Sequence, residues 1–188
     1  MNWLGSLARI VGTANPITAL GVQALAELDG RSIQARLRRL EDPIGSLHPD
    51  VGELSDAIYA ELSEADDSHV ELSDEILDRY SRVLAVLDAA GLIQGTHSLH
   101  RRFVGGVWLT NPTFVLYIAG LYEDPDLMER TLAHLNAAPS GTWLRGPEIA
   151  KEFAMPLPVI RAFFQLFAQR GLGTLSAEIG VTNYRVQA

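Results

Sequence analysis

The sequence predicts a mainly α fold with small β-hairpins, and three observations carry that prediction. Between Gly146 and Gln169 two helical patterns stand close together: Ile149, Ala150 and Phe153 in the first, then Ile160, Phe163, Phe164 and Phe167 at i, i+3, i+4 and i+7 in the second. Long helical patterns in both halves of the chain end on Gly-Leu, at Gly91-Leu92 and Gly171-Leu172, and short strand-like segments follow each ending. Of the 188 residues 47% are hydrophobic and 20% charged, the balance of a chain that folds around a core.

Residues 1–46 read as a helical N-terminal arm. Trp3, Leu4, Leu7, Ile10 and Val11 make an amphipathic start, Asn15-Pro16 interrupts it, and Ile17 to Leu28 continues with many small residues. The stretch from Ile10 to Ala26 is uncharged, yet its 17 residues include Gly12, Pro16 and Gly21 and reach only the lower edge of a spanning helix. The arm is therefore expected to dock on the rest of the chain or to mediate self-association, with membrane contact by residues 1–28 the disfavoured alternative. A signal peptide is not supported, because the positively charged start is missing. Arg36, Arg38 and Arg39 mark a solvated helix end.

Residues 47–122 read as an acidic module. A helix from about Pro49-Asp50 carries Leu54, Ile58, Tyr59 and Leu62 on one face, Glu64 to Ser68 is a polar loop, and Val70 to Leu72 suits a short strand. Ser73, followed by Asp74 and Glu75, is a helix start with acids where the N-terminal dipole favours them. Leu77, Tyr80, Val83, Leu84 and Leu87 then keep one face of a single helix to Ala90, closed by Gly91. Arg101 to Val104 and Val107 to Thr110 are expected strands, joined by Gly105-Gly106 in a type I′ turn. Asn111-Pro112 starts a helix over Phe114 to Leu121.

Residues 123–188 repeat much of this order. Asp124-Pro125 starts a helix over Asp126 to Leu135, Asn136 to Gly141 is a loop, and Trp143-Leu144 suits a small strand. The EIAKEF helix, a break at Met155-Pro156 and a second helix follow. Gly171 supplies the left-handed residue that ends that helix, and Leu175 to Ile179 and Val181 to Val186, split at Gly180, are expected strands of a hairpin.

Two such modules in an acidic chain resemble bacterial winged-helix regulators and, beside them, the tandem winged-helix subunits that pair with condensin-type kleisins. The resemblance covers Leu47 to Ala188 as architecture and EIAKEFAMPLPVIRAFFQLFAQRGLG as motif. It implies two winged-helix-like modules after the N-terminal arm, and binding of DNA, RNA or protein.

Charge narrows where such binding could occur. The net charge is −8 and the pI near 5.0, against a surface that is basic as a whole. Residues 47–120 hold 12 Asp and Glu against 4 Arg, whereas from Pro139 onward there are 3 acids against 5 Lys and Arg. Phosphate contact is expected only at the C-terminal end.

Catalytic signatures are missing from the sequence. With no cysteine, disulfides, thiolate metal sites and a Cys nucleophile are excluded, and a reducing, cytoplasmic location fits. His97 and His100, like His48, His69 and His134, lack the converging partners of a metal site, and Glu64, Asp66 and Asp67 lack the calcium-hand spacing. Gly105-Gly106 is not a phosphate loop, and no GxSxG occurs. The expectation is a protein that is not an enzyme and has no cofactor or metal.

Two binding readings remain. In the first, a regulator of duplex DNA, the second helix of the C-terminal pair enters a groove, Arg161 and Gln165 read base edges, and Arg145, Lys151 and Arg185 touch phosphate. In the second, an adaptor or assembly subunit, Leu157, Val159 and Leu166 lie off the Phe face as an exposed apolar stripe that contacts a protein partner. The sequence favours the regulator slightly.

Overall fold

The computed structural model describes residues 42–98, 101–176 and 182–187. The N-terminal arm through residue 41, His100 and the Gly180 tip of the last hairpin lie outside the described residues.

The chain divides into residues 1–52 and residues 53–188. The described part of the first unit contains a single 3-10 turn, Gly45–Leu47. Asp42 Oδ1 accepts from the Gly45 N–H at 2.8 Å at its start.

The second unit is mainly helical with two small antiparallel sheets, as the sequence predicts. Its first half runs α1 (Val51–Leu62, begun two residues earlier), β1 (His69–Glu71), α2 (Asp74–Arg79), α3 (Ser81–Ala89), β2 (Gln94–Gly95) and β3 (Gly106–Trp108). After α4 (Pro112–Tyr122), the second half runs α5 (Pro125–Ala137), β4 (Trp143–Arg145), α6 (Gly146–Phe153), α7 (Leu157–Gln169), β5 (Gly173–Leu175) and β6 (Asn183–Val186). Both halves thus follow helix, strand, helix, helix, strand, strand. Both sheets set their third strand between the other two, β1-β3-β2 and β4-β6-β5.

Local chemistry explains most helix starts. Ser73 Oγ accepts from the Ile76 N–H at 3.4 Å, Asn111 Oδ1 from Thr113 at 2.9 Å and Asp124 Oδ1 from Asp126 at 3.0 Å. Each satisfies a donor that the first helical turn leaves without a partner. Pro112 and Pro125 sit in the first turn, where the missing N–H costs nothing.

Two expectations are corrected. The continuous helix from Ile76 to Ala90 is broken at Tyr80, whose φ of −101° and ψ of 17° separate α2 from α3. No Pro or Gly marks the break. At the break the contacts are tertiary: the Tyr80 hydroxyl and Arg79 Nη2 both donate to Glu53 Oε2, each at 3.0 Å, and tie the end of α2 to α1.

Gly105-Gly106 is not the turn of a two-residue hairpin. Beyond β2 the chain folds back on itself, with the Val104 N–H donating to the Thr96 carbonyl at 2.9 Å and the Ser98 N–H to the Arg101 carbonyl at 2.9 Å. The glycine pair lies further along, where the chain bends in to pair with β1. A Cβ on Gly106 would fall 2.2 Å from the Val70 carbonyl oxygen, so only glycine permits the approach.

The core of the second half is built on α7. Ile160, Phe163, Phe164 and Phe167 are buried, as their spacing predicts. Tyr184 of β6 stacks on Phe164 with centroids 5.2 Å and planes 16° apart, and tilts against Phe167 at 6.1 Å. The helix has a second cover. α4, buried from Phe114 through Ala119 and with no charged residue, packs along α7. Among its neighbours in the fold, α4 packs most extensively on α7.

Candidate functional site

The helix pair α6 and α7 is where a nucleic-acid reader would place its contacts, and its geometry follows from the connection. Ala154 takes the left-handed conformation at φ 50°, and the Met155 N–H donates to the Ala150 carbonyl at 2.9 Å, which closes α6. Pro156, the N-cap residue, has no side-chain acceptor and Pro158 no N–H to donate, so α7 begins without a side-chain cap.

The outward surface of α7 is small. Between Leu157 and Gln169 only Gln169 is exposed; Leu157, Arg161, Gln165 and Ala168 are partly covered, and the other residues are buried. Val159 is 0% and Leu166 4% exposed, so the expected apolar stripe of Leu157, Val159 and Leu166 is not an exposed one. The reason is α4: a helix with sheet aromatics on one side and a second apolar helix alongside buries both sets of side chains.

Arg161 is engaged within the chain. Its Nε and Nη2 donate to Thr182 Oγ1 at 3.2 and 2.9 Å, and Nη2 also reaches the Asp66 carbonyl at 3.4 Å. The guanidinium thus joins the last hairpin to the acidic loop instead of standing free for a guanine edge. Gln165, the other expected base reader, is half-buried. Beside the α6–α7 turn lies a cleft of about 430 Å³ whose lining includes Leu157, Glu64, Asp66 and Glu123, placing carboxylates where a groove-bound helix would meet phosphates.

At the same cleft Tyr59 stacks on Tyr122, with centroids 4.9 Å and planes 18° apart, and its hydroxyl donates to Glu123 Oε1. Burial, and then the Glu123 carboxylate, hold the Tyr59 pKa far above its ordinary value. Burial, and then Asp56, raise that of Tyr122. These shifts keep both phenols protonated at neutral pH. The group works as a latch between α1 and the end of α4.

The segment between β2 and β3 is tied to the chain by ion pairs at the surface. Arg101 pairs with Asp74 at 2.8 Å and Asp78 at 3.1 Å, and Arg102 with Asp88 at 3.8 Å. Among the described residues no group of three or more His, Asp or Glu is placed to hold a metal ion.

The remaining expected residues lie on the second sheet and beside it. In the register of β4, β6 and β5 one cross-strand row is Leu144, Tyr184 and Leu175, of which Leu144 and Tyr184 are buried; the next is Trp143, Arg185 and Thr174, all exposed. By strand alternation Arg145 shares the outward face with Trp143. Trp143 is 52% exposed, and the Arg185 guanidinium lies over its ring at 6.0 Å. Arg145 is paired with Glu148 at 3.1 Å, and Lys151 is exposed on α6. The structure therefore brings Arg145 and Arg185 together on one face, and keeps Arg161 and Gln165 apart from it as half-buried residues of α7. Trp143 and Leu172, 52% and 47% exposed, were not picked out from the sequence; large apolar residues beside arginines in short strands were the available signal.

Comparison of the chain with protein-family models, with characterised proteins and with solved structures finds no match.

Proposed function

We propose that this chain is a non-enzymatic assembly subunit, an adaptor built on two winged-helix-like modules that binds a protein partner. The reading rests on one observation above others: α7, the helix that a DNA-reading winged helix would lay in the major groove, leaves only Gln169 exposed along its length. A groove helix needs a row of free polar side chains, and here α4 and the sheet occupy that surface. The ion pairs that engage Arg101 and Arg102 with acids of the same chain, and the carboxylates beside the α6–α7 turn, support the same reading.

The regulator reading retains Arg145, Lys151 and Arg185, which are exposed, but loses Arg161 to Thr182. Three cations against a net charge of −8 offer little to a duplex. The absence of cysteine supports a cytoplasmic setting, and no helix among the described residues is long and apolar enough to cross a membrane. The test is binding of the intact protein to random-sequence duplex at low and moderate salt. The adaptor reading predicts no measurable salt-sensitive binding. Affinity that falls steeply as salt rises, the signature of counterion release, would return the protein to the regulators.

A further inference from the structure

We propose that the outward face of the sheet β4-β6-β5 is a docking site for a short acidic and apolar peptide segment of a partner protein. Trp143 and Leu172 supply the apolar contact and Arg185 the charge. This deepens the adaptor reading and rests on it.

The charge on this face selects the occupant. In a chain of net charge −8, the outward side chains of the three strands are Trp143, Arg145, Asn183, Arg185 and Thr174, with no carboxylate among them. Arg145 is neutralised by Glu148, whereas Arg185 has no carboxylate partner among the described residues and lies over the Trp143 ring. Leu172 extends the face, because its carbonyl accepts from the Gln187 N–H at 2.9 Å and so continues the β5–β6 ladder. A cation held beside an exposed indole, with an exposed leucine near it, matches a segment that offers a carboxylate and a large apolar side chain.

The sheet by itself is too small to carry a second copy of the chain. The strands have three, three and four residues, so the sheet is about 10 Å wide and 10 to 13 Å long at ordinary strand dimensions. That is on the order of 100 Å² in plan, far below the roughly 800 Å² per partner of a stable globular interface. A peptide fits. Single-stranded nucleic acid fits less well: the face has one aromatic ring for stacking, and one of its two arginines, Arg145, is already paired with Glu148.

The test presents the immobilised full-length protein with a library of random 12-residue peptides displayed on phage. Enriched peptides should share an Asp or Glu close to a Leu, Phe or Trp. A synthetic copy of the leading peptide should shift the indole N–H resonance of Trp143, leave that of Trp108 in place, and bind at least tenfold more weakly to Trp143→Ala. Arg185→Glu, at an exposed position, should lose these peptides and enrich Lys- or Arg-bearing ones. Peptides without acids, or binding indifferent to both substitutions, would overturn the site, as would a library with no enrichment. Displacement of the peptide by an oligo-deoxythymidine dodecamer at equal concentration would overturn it in favour of single strands. Salt-steep duplex binding would instead fail the adaptor reading itself, so the two failures are distinguishable.

Discussion

Arg161 donates from both Nε and Nη2 to the single hydroxyl of Thr182, at 3.2 and 2.9 Å, so the one arginine of α7 is spent inside the fold. Thr182 is 5% exposed, and a charged donor to a hydroxyl that water scarcely reaches is a structural bond. Arg161→Ala is expected to cost on the order of 1.5 kcal/mol in chemical denaturation. A double-mutant cycle with Thr182→Val should give a coupling of about 1 kcal/mol. A coupling near zero would mean that the guanidinium is free in solution.

The stack of Phe164 on Tyr184 is the centre of the second half, and both side chains are buried. Phe164→Ala should lower the unfolding free energy by about 3 to 5 kcal/mol, the range for emptying a fully packed aromatic site. An unchanged denaturation midpoint would displace the helix phase described above.

The Phe face of α7 was legible because a helix period shows which side chains share a side, and the caps at Ser73, Asn111 and Asp124 because each acts within three residues of itself. What the period does not show is how many sides are covered. Val159 and Leu166 therefore read as a free stripe, although the uncharged run from Val107 to Tyr122 pointed to a helix needing cover all round, and hence to a neighbour on more than one side. The break at Tyr80 and the engagement of Arg161 left no local mark, since both involve partners at least 21 residues away in sequence. The outward row of the second sheet was half legible: Arg145 and Arg185 were marked by charge, but the register that sets Arg185 against Trp143 exists only after folding.

Alkaline pH should expose the latch at Tyr59. Burial first, then Glu123, raise its pKa in the folded state above the unfolded value near 10, so the folded protein holds this proton more tightly. The associated stability is fully present below the unfolded pKa and is lost as pH rises from there toward the folded pKa. Stability measured against urea should accordingly decline above about pH 10, and Tyr59→Phe should make that decline shallower. An identical slope in the variant would remove Tyr59 as a contributor.

Two glycines should respond in opposite directions to the same substitution. Gly106→Ala places a methyl 2.2 Å from the Val70 carbonyl oxygen at φ 152° and is expected to cost on the order of 3 kcal/mol or to prevent folding. Gly52, at the start of α1, has nothing within 4 Å of its Cβ position, and Gly52→Ala should stabilise by about 0.5 kcal/mol. Comparable melting temperatures for the two variants would contradict the β1–β3 pairing.

The burial of α7 on both sides is the claim on which the functional reading turns, and the chain's lack of cysteine allows a direct test. Single cysteines introduced at Val159, Leu166 and Gln169 report access to a maleimide or disulfide reagent under native conditions. The structure predicts that Gln169→Cys reacts at the rate of a free thiol, while Val159→Cys and Leu166→Cys react slower by a factor of a hundred or more, limited by opening of the fold. Reaction of Val159→Cys and Leu166→Cys as fast as Gln169→Cys, in variants that melt like the parent, would show an open helix face and contradict the account.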